Sequence, residues 1–209
     1  RQTVIKPHEL KPWFEAIMNL KNDPISQNRE TIRDYLLLVL FTGLRREEAA
    51  SMTWTNVDLQ AKTLRLTDTK NHSDHNLPLS DFLFDLIQNR KAHAINEYVF
   101  HRASGTGYVS EQRKQMAKVI KESGISFTIH DLRRTFLTIA ESLDIPAYAV
   151  KRLANHKMSN DVTAGYIVTD VERLRQPMQK ITDYILKCAG YKPSATVTDL
   201  SEKKSHKTS

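Results

Sequence analysis

Six residues of chemically useful type occur in the order Arg45, Lys70, His130, Arg133, His156 and Tyr166, at places where core packing calls for none of them. Arg45 follows Thr42-Gly-Leu, so a turn at Gly43 can aim it off a buried helix at a fixed angle. An arginine held that way is a good bidentate phosphate ligand. Glu48, one helical turn on, can orient the guanidinium, although an Arg–Glu surface pair at a helix start reads equally well. Lys70 in Asp68-Thr-Lys-Asn71 sits where a hairpin should turn. A lysine there can reach into a nucleic-acid groove and donate a proton to a leaving oxygen, whereas most turn lysines are simply solvated. His130 and Arg133 share a helix face near a helix N-terminus, where amides and dipole favour an anion. His156 follows a short helix that starts after Pro146; alone it reads as a capping or partly buried histidine. Tyr166 is one tyrosine of seven, with Gly165 beside it giving backbone freedom.

The elements that must hold these residues are mainly helical. Apolar periodicity and turn signals predict helices over 8–21, 30–42, 46–52, 79–92, 111–123, 128–143, 146–154 and 169–188, with a further segment over 161–167. The run from Leu36 to Phe41 is apolar on most faces and predicts a central, buried helix. Alternation over Thr63–Thr67 and Asn76–Ser80 predicts two strands of a β-hairpin, and Tyr98-Val-Phe a short extended piece. The fold class is therefore mainly α with a small antiparallel β-sheet. Composition shifts after Tyr191 to Ser, Thr and Lys, so 191–209 is expected to be a flexible tail behind a domain over 1–190.

Lys and Arg exceed Asp and Glu by 31 to 24, a net charge of +7 that favours a polyanionic partner. The single cysteine, Cys188, excludes an internal disulfide and fits a reducing compartment. No apolar run approaches the roughly 18 residues of a membrane span. A cytoplasmic protein without membrane contact is expected. The chain starts without Met and without a signal-peptide core, which fits a fragment of a longer protein.

Taken together, the boxes Thr42-Gly-Leu-Arg-x-x-Glu48 followed by Trp54, His130-Asp-Leu-Arg-Arg-Thr-Phe136, and Leu153-Ala-Asn-His156 with Tyr166 ten residues on resemble the tyrosine recombinases, or phage integrases. The resemblance covers about residues 5–188, that family's catalytic domain. It implies site-specific recombination through a 3′-phosphotyrosyl intermediate, with Tyr166 as nucleophile on a DNA phosphate. It further implies Arg45 and Arg133 on the non-bridging oxygens and a hydrogen bond to the phosphate from His156. Lys70 would be the general acid, and His130 would position the phosphate or take the tyrosine proton. No metal or other cofactor is implied. The partners implied are double-stranded DNA attachment sites, a homotetramer of the full-length protein, and accessory directionality or DNA-bending proteins. An N-terminal DNA-binding domain would be missing from this chain. Lys114, Lys118, Lys121, Arg134, Lys151 and Arg152 are assigned to DNA-backbone contact, although each taken singly reads better as a solvated charge. His72 and His75 are read as DNA-facing or solvated. In one place the chain departs from the family: Asn155 stands where a glycine usually precedes the histidine, which puts in question how the loop to His156 is held. A type IB topoisomerase-like DNA relaxation and a non-catalytic DNA-binding module remain as alternatives.

Overall fold

The protein is seen here as a computed structural model that describes residues 3–22, 29–67, 74–110, 112–155 and 170–192. Within them lie α1 (Leu10–Met18), α2 (Arg29–Thr42), α3 (Arg46–Ala50), β1 (Val57–Asp58), β2 (Thr63–Leu66), β3 (His75–Pro78), α4 (Asp81–Ala92), α5 (Arg113–Ser123), α6 (Ile129–Ser142), α7 (Ala147–Leu153) and α8 (Asp170–Ala189). The predicted elements are present, with ends shifted by one to a few residues. The expected extended piece at Tyr98 is reduced to an isolated bridge with Thr53, and β1 is a strand that the alternation did not signal. Segment 161–167 and the tail beyond Lys192 lie outside the described residues.

The apolar run of α2 makes it the central helix. Tyr35 through Phe41 have essentially no exposure, because helices cover it on several sides: α6, α4 and α8 all pack against it. The α6 helix buries a stripe of Leu132, Phe136, Ile139 and Ala140, a spacing of three or four that keeps one face on the core. The α8 helix does the same with Leu174, Met178, Ile181 and Ile185, and it runs through Pro177 without ending. Phe41 meets Phe14 of α1 and Phe82 of α4, with ring centroids 6.5 and 4.7 Å apart. This aromatic seam locks the first half of the chain to the middle.

The three strands form an antiparallel sheet in the order β1-β2-β3, with Leu64 opposite Leu77 and Leu66 opposite His75. His75 is not the loop residue expected from the sequence. It opens β3, faces the same side as Leu77, and is 6% exposed. Its Nε2 lies 3.3 Å from the Leu153 carbonyl at the end of α7. A carbonyl only accepts, so Nε2 carries the proton and donates it. Burial pushes the imidazole down from 6.5 to about 4, against the opposing pull of the Leu153 hydrogen bond.

This sets an acid limit on the fold. Between pH 6.5 and about 4 the unfolded chain binds a proton at His75 that the folded chain refuses. Stability therefore rises with pH across that window and is lost as pH falls through it. Urea denaturation should show about 2 kcal/mol less stability near pH 5 than near pH 7 from this group. A His75→Phe variant should lack that component of the slope.

Candidate active site

Gly43 breaks α2. Its φ of +66° is left-handed, and a Cβ there would lie 2.5 Å from Phe136 Cδ1, so both backbone and space require glycine. The turn is fixed by Thr42, whose hydroxyl donates to the Leu38 carbonyl (2.6 Å) and accepts from the Leu44 amide (3.2 Å). Arg45 then stands in extended conformation as the residue before α3. The Glu48 carboxylate reaches back to the Arg45 amide (3.1 Å) and accepts from Arg45 Nη1 (2.9 Å). The orienting role expected for Glu48 thus has a direct geometry.

Arg133 projects from α6, whose start is set by a capping box. Thr128 accepts from the Asp131 amide (3.3 Å), and the Asp131 carboxylate accepts from the Thr128 amide (2.9 Å). This start places His130, exposed, in the first turn and Arg133 one turn deeper, 7% exposed. Arg133 Nη1 donates to the Gly43 carbonyl and Nη2 to the Ala154 carbonyl (2.7 Å). Arg45 Nη2 donates to the next carbonyl, Asn155 (3.4 Å). Burial pushes the Arg133 guanidinium below its ordinary range, the charge of Arg45 pushes the same way, and Glu48 opposes both.

Asn155 ends the α7 segment with φ +49°. The left-handed region is where glycine sits freely and where asparagine is the most tolerated substitute. The departure from the family's usual glycine therefore keeps the turn, and with it the carbonyl that Arg45 binds.

Arg45, His130 and Arg133 open on one groove of about 1380 Å³ that is also lined by Leu44, Arg46, Arg102, Arg113 and Lys114. Small-molecule pockets run to about 300–1,000 Å³, so the groove suits a larger ligand. Among the described residues its lining holds no carboxylate. Of the cations expected to contact DNA, Lys114 lines it. Lys118, Lys121, Arg134, Lys151 and Arg152 do not, and Arg134 instead pairs with Asp131 at 3.4 Å. Arg46, Arg102 and Arg113 were not picked out by sequence reasoning. Arg102 is braced by the Tyr108 carbonyl (2.8 Å) and Ser110 Oγ (2.6 Å), and only the structure shows that it faces the groove. Lys70, His156 and Tyr166 lie outside the described residues. Among the described residues no cluster of His, Cys, Asp or Glu is placed to hold a metal ion, and no helix is long and apolar enough to cross a membrane.

The model of the phage integrase family matches residues 7–173. Prophage integrase IntF of Escherichia coli strain K12 is 31% identical over 193 residues, which are 89% of this chain and 40% of that protein. The chain thus spans well under half the length of that relative. The integrase from mycobacterium phage Brujita superimposes with a TM-score of 0.64 at 16% identity, over 90% of this chain and 63% of that one. The XerH site-specific recombinase bound to its difH substrate does so with a TM-score of 0.60 at 20% identity, over 75% and 47%.

Two substitutions test how the backbone presents the arginines. Gly43→Ala should cost about 1–3 kcal/mol from strain and the clash with Phe136, read as a lowered midpoint in urea. Asn155→Gly should fold and bind a phosphorylated ligand like the parent, because glycine adopts φ +49° freely. Asn155→Val should lose about 1 kcal/mol or more of stability, since a β-branched residue resists that conformation.

Proposed function

The chain belongs to the phage integrase family and has the catalytic-domain fold of tyrosine recombinases, and from that premise we propose that it is the cutting and rejoining part of a site-specific DNA recombinase. The observation that carries the reading is the pairing of Arg45 and Arg133. Two guanidiniums line one groove in which no described residue is a carboxylate, close enough that the charge of one perturbs the other. Glu48 is the one carboxylate hydrogen-bonded to either of them among the described residues. Guanidiniums fixed in this way suit a phosphate.

In the proposed reaction Tyr166 Oη attacks a scissile phosphate of duplex DNA. The Oη–P bond forms as the P–O5′ bond breaks, leaving a 3′-phosphotyrosyl link and a free 5′-hydroxyl. The phenol, with an ordinary pKa near 10, gives its proton to His130, or to solvent through it. Lys70 protonates the departing 5′-oxygen. Arg45 and Arg133 hold the non-bridging oxygens as the phosphorane gains charge, and His156 adds a hydrogen bond. Donors fixed before the reaction contribute most where charge develops, several kcal/mol being a typical worth for each. The energy of the broken ester stays in the phosphotyrosyl bond, so a second strand's 5′-hydroxyl can reverse the step and join the DNA in a new order.

DNA as the partner is supported by the relative solved on its DNA substrate and by the basic lining of the groove. Assembly as a tetramer on two attachment sites, accessory directionality or DNA-bending proteins, and a cytoplasmic site of action belong to the same proposal and rest on the family resemblance. No observation favours DNA relaxation or a non-catalytic role.

The test is a nicked suicide substrate, from which the short strand beyond the scissile phosphate diffuses away and traps the adduct. The full-length protein should form a covalent complex that resists denaturation, and Tyr166→Phe should form none. Arg133→Ala should slow adduct formation by about 100-fold or more. A parent protein that forms no adduct on its own attachment site would overturn the proposal.

A further inference from the structure

Buried His75 has no part in the reaction above, yet it ends on the same short stretch of backbone as both arginines. Three successive carbonyls close α7. Leu153 accepts from His75 Nε2 (3.3 Å), Ala154 from Arg133 Nη2 (2.7 Å) and Asn155 from Arg45 Nη2 (3.4 Å). The donors come from β3, α6 and the start of α3. His75 is therefore a contact by which the β-sheet reaches the backbone that also seats the arginines.

Its position in the chain gives this contact a purpose. His75 is five residues after Lys70, on the strand that returns from the hairpin, and Leu153 is three residues before His156. A neutral imidazole suits the place. Arg133 and Arg152 both act on it electrostatically, with Glu48 opposing them, and a protonated ring beside those cations would add to the crowding. A smaller donor would leave the Leu153 carbonyl unreached, and an apolar residue would remove this hydrogen bond.

We propose that His75 is a positioning residue for strand cleavage: its hydrogen bond to Leu153 ties β3, the strand that follows Lys70 in the chain, to the backbone that seats the arginine clamp. The proposal rests on the recombinase reading. It makes a specific demand: loss of His75 should harm departure of the 5′-oxygen and leave DNA binding alone.

The experiment uses full-length protein and two suicide substrates that differ in one atom, the scissile 5′-oxygen or sulfur in its place. A thiolate leaves without needing a proton, so a fault in delivering the general acid is masked on the sulfur substrate. His75→Leu and His75→Phe should each cleave the oxygen substrate about 10- to 100-fold more slowly at saturating DNA, with unchanged DNA affinity. On the sulfur substrate most of that loss should vanish. His75→Gln, which keeps a neutral N–H donor, should recover to within a few-fold of the parent. An equal loss on both substrates, or no loss on either, overturns the proposal. So does failure of both apolar variants to fold, which makes His75 a packing residue. Failure of the recombinase reading itself is seen separately, as no adduct with the parent protein on either substrate.

Discussion

The last carbonyls of a short helix organise this site. A helix end leaves its final carbonyls without intrahelical partners and carries a partial negative charge. At the end of α7 these groups receive Arg133, Arg45 and His75 from three separate elements. The arrangement fixes two guanidiniums while neutralising them only in part. Had a carboxylate held each arginine, the geometry would survive but the charge available to a phosphate would largely be gone. With Glu48 the one carboxylate on either arginine among the described residues, the two arginines keep an excess positive charge at the groove.

Holding that charge is costly, and the structure shows where the cost falls. Arg133 is nearly buried, and both desolvation and the neighbouring Arg45 act against its ionised form. Backbone oxygens from Gly43 and Ala154 offset part of this, since hydrogen bonds to an ionised donor are stronger than neutral ones. A phosphate, and still more a phosphorane, would remove the remaining repulsion. The site is thus poised toward an anion before any ligand arrives, which is the condition for electrostatic stabilisation without reorganisation.

How much of this could be read in the sequence depended on the range of each interaction. The Arg45–Glu48 pair and the placing of His130 and Arg133 in the opening turns of a helix are local, set by a glycine stop and by a Thr128–Asp131 capping box, and both are legible in linear order. The central role of α2 follows from its unbroken apolar run. The alternation over Asn76–Ser80 leaves His75 in the loop. Carried one residue back, the same alternation puts His75 on the buried face with Leu77. Even so, nothing local could have shown that Leu153 would supply its acceptor, 78 residues away. Arg46, Arg102 and Arg113 were missed for a similar reason: their convergence on the groove is tertiary. Asn155 was legible as a departure from the family pattern, but its harmlessness appears only in a backbone angle.

The two left-handed residues of the site, Gly43 and Asn155, act as a crossed pair. Each lies just past a helix end, and each presents its carbonyl to an arginine from a different box: Gly43, beside Arg45, accepts from Arg133, and Asn155 accepts from Arg45. A positive φ turns the carbonyl away from its usual helical direction, which is how both oxygens come to face the guanidiniums. The two positions are not equally constrained. Gly43 is pressed against the Phe136 ring, so conformation and volume both demand glycine. At Asn155 the left-handed backbone makes a demand that asparagine meets. The arginine clamp and the turns that orient it are therefore one structure, in which the backbone does the work that acidic side chains would do only by discharging the site.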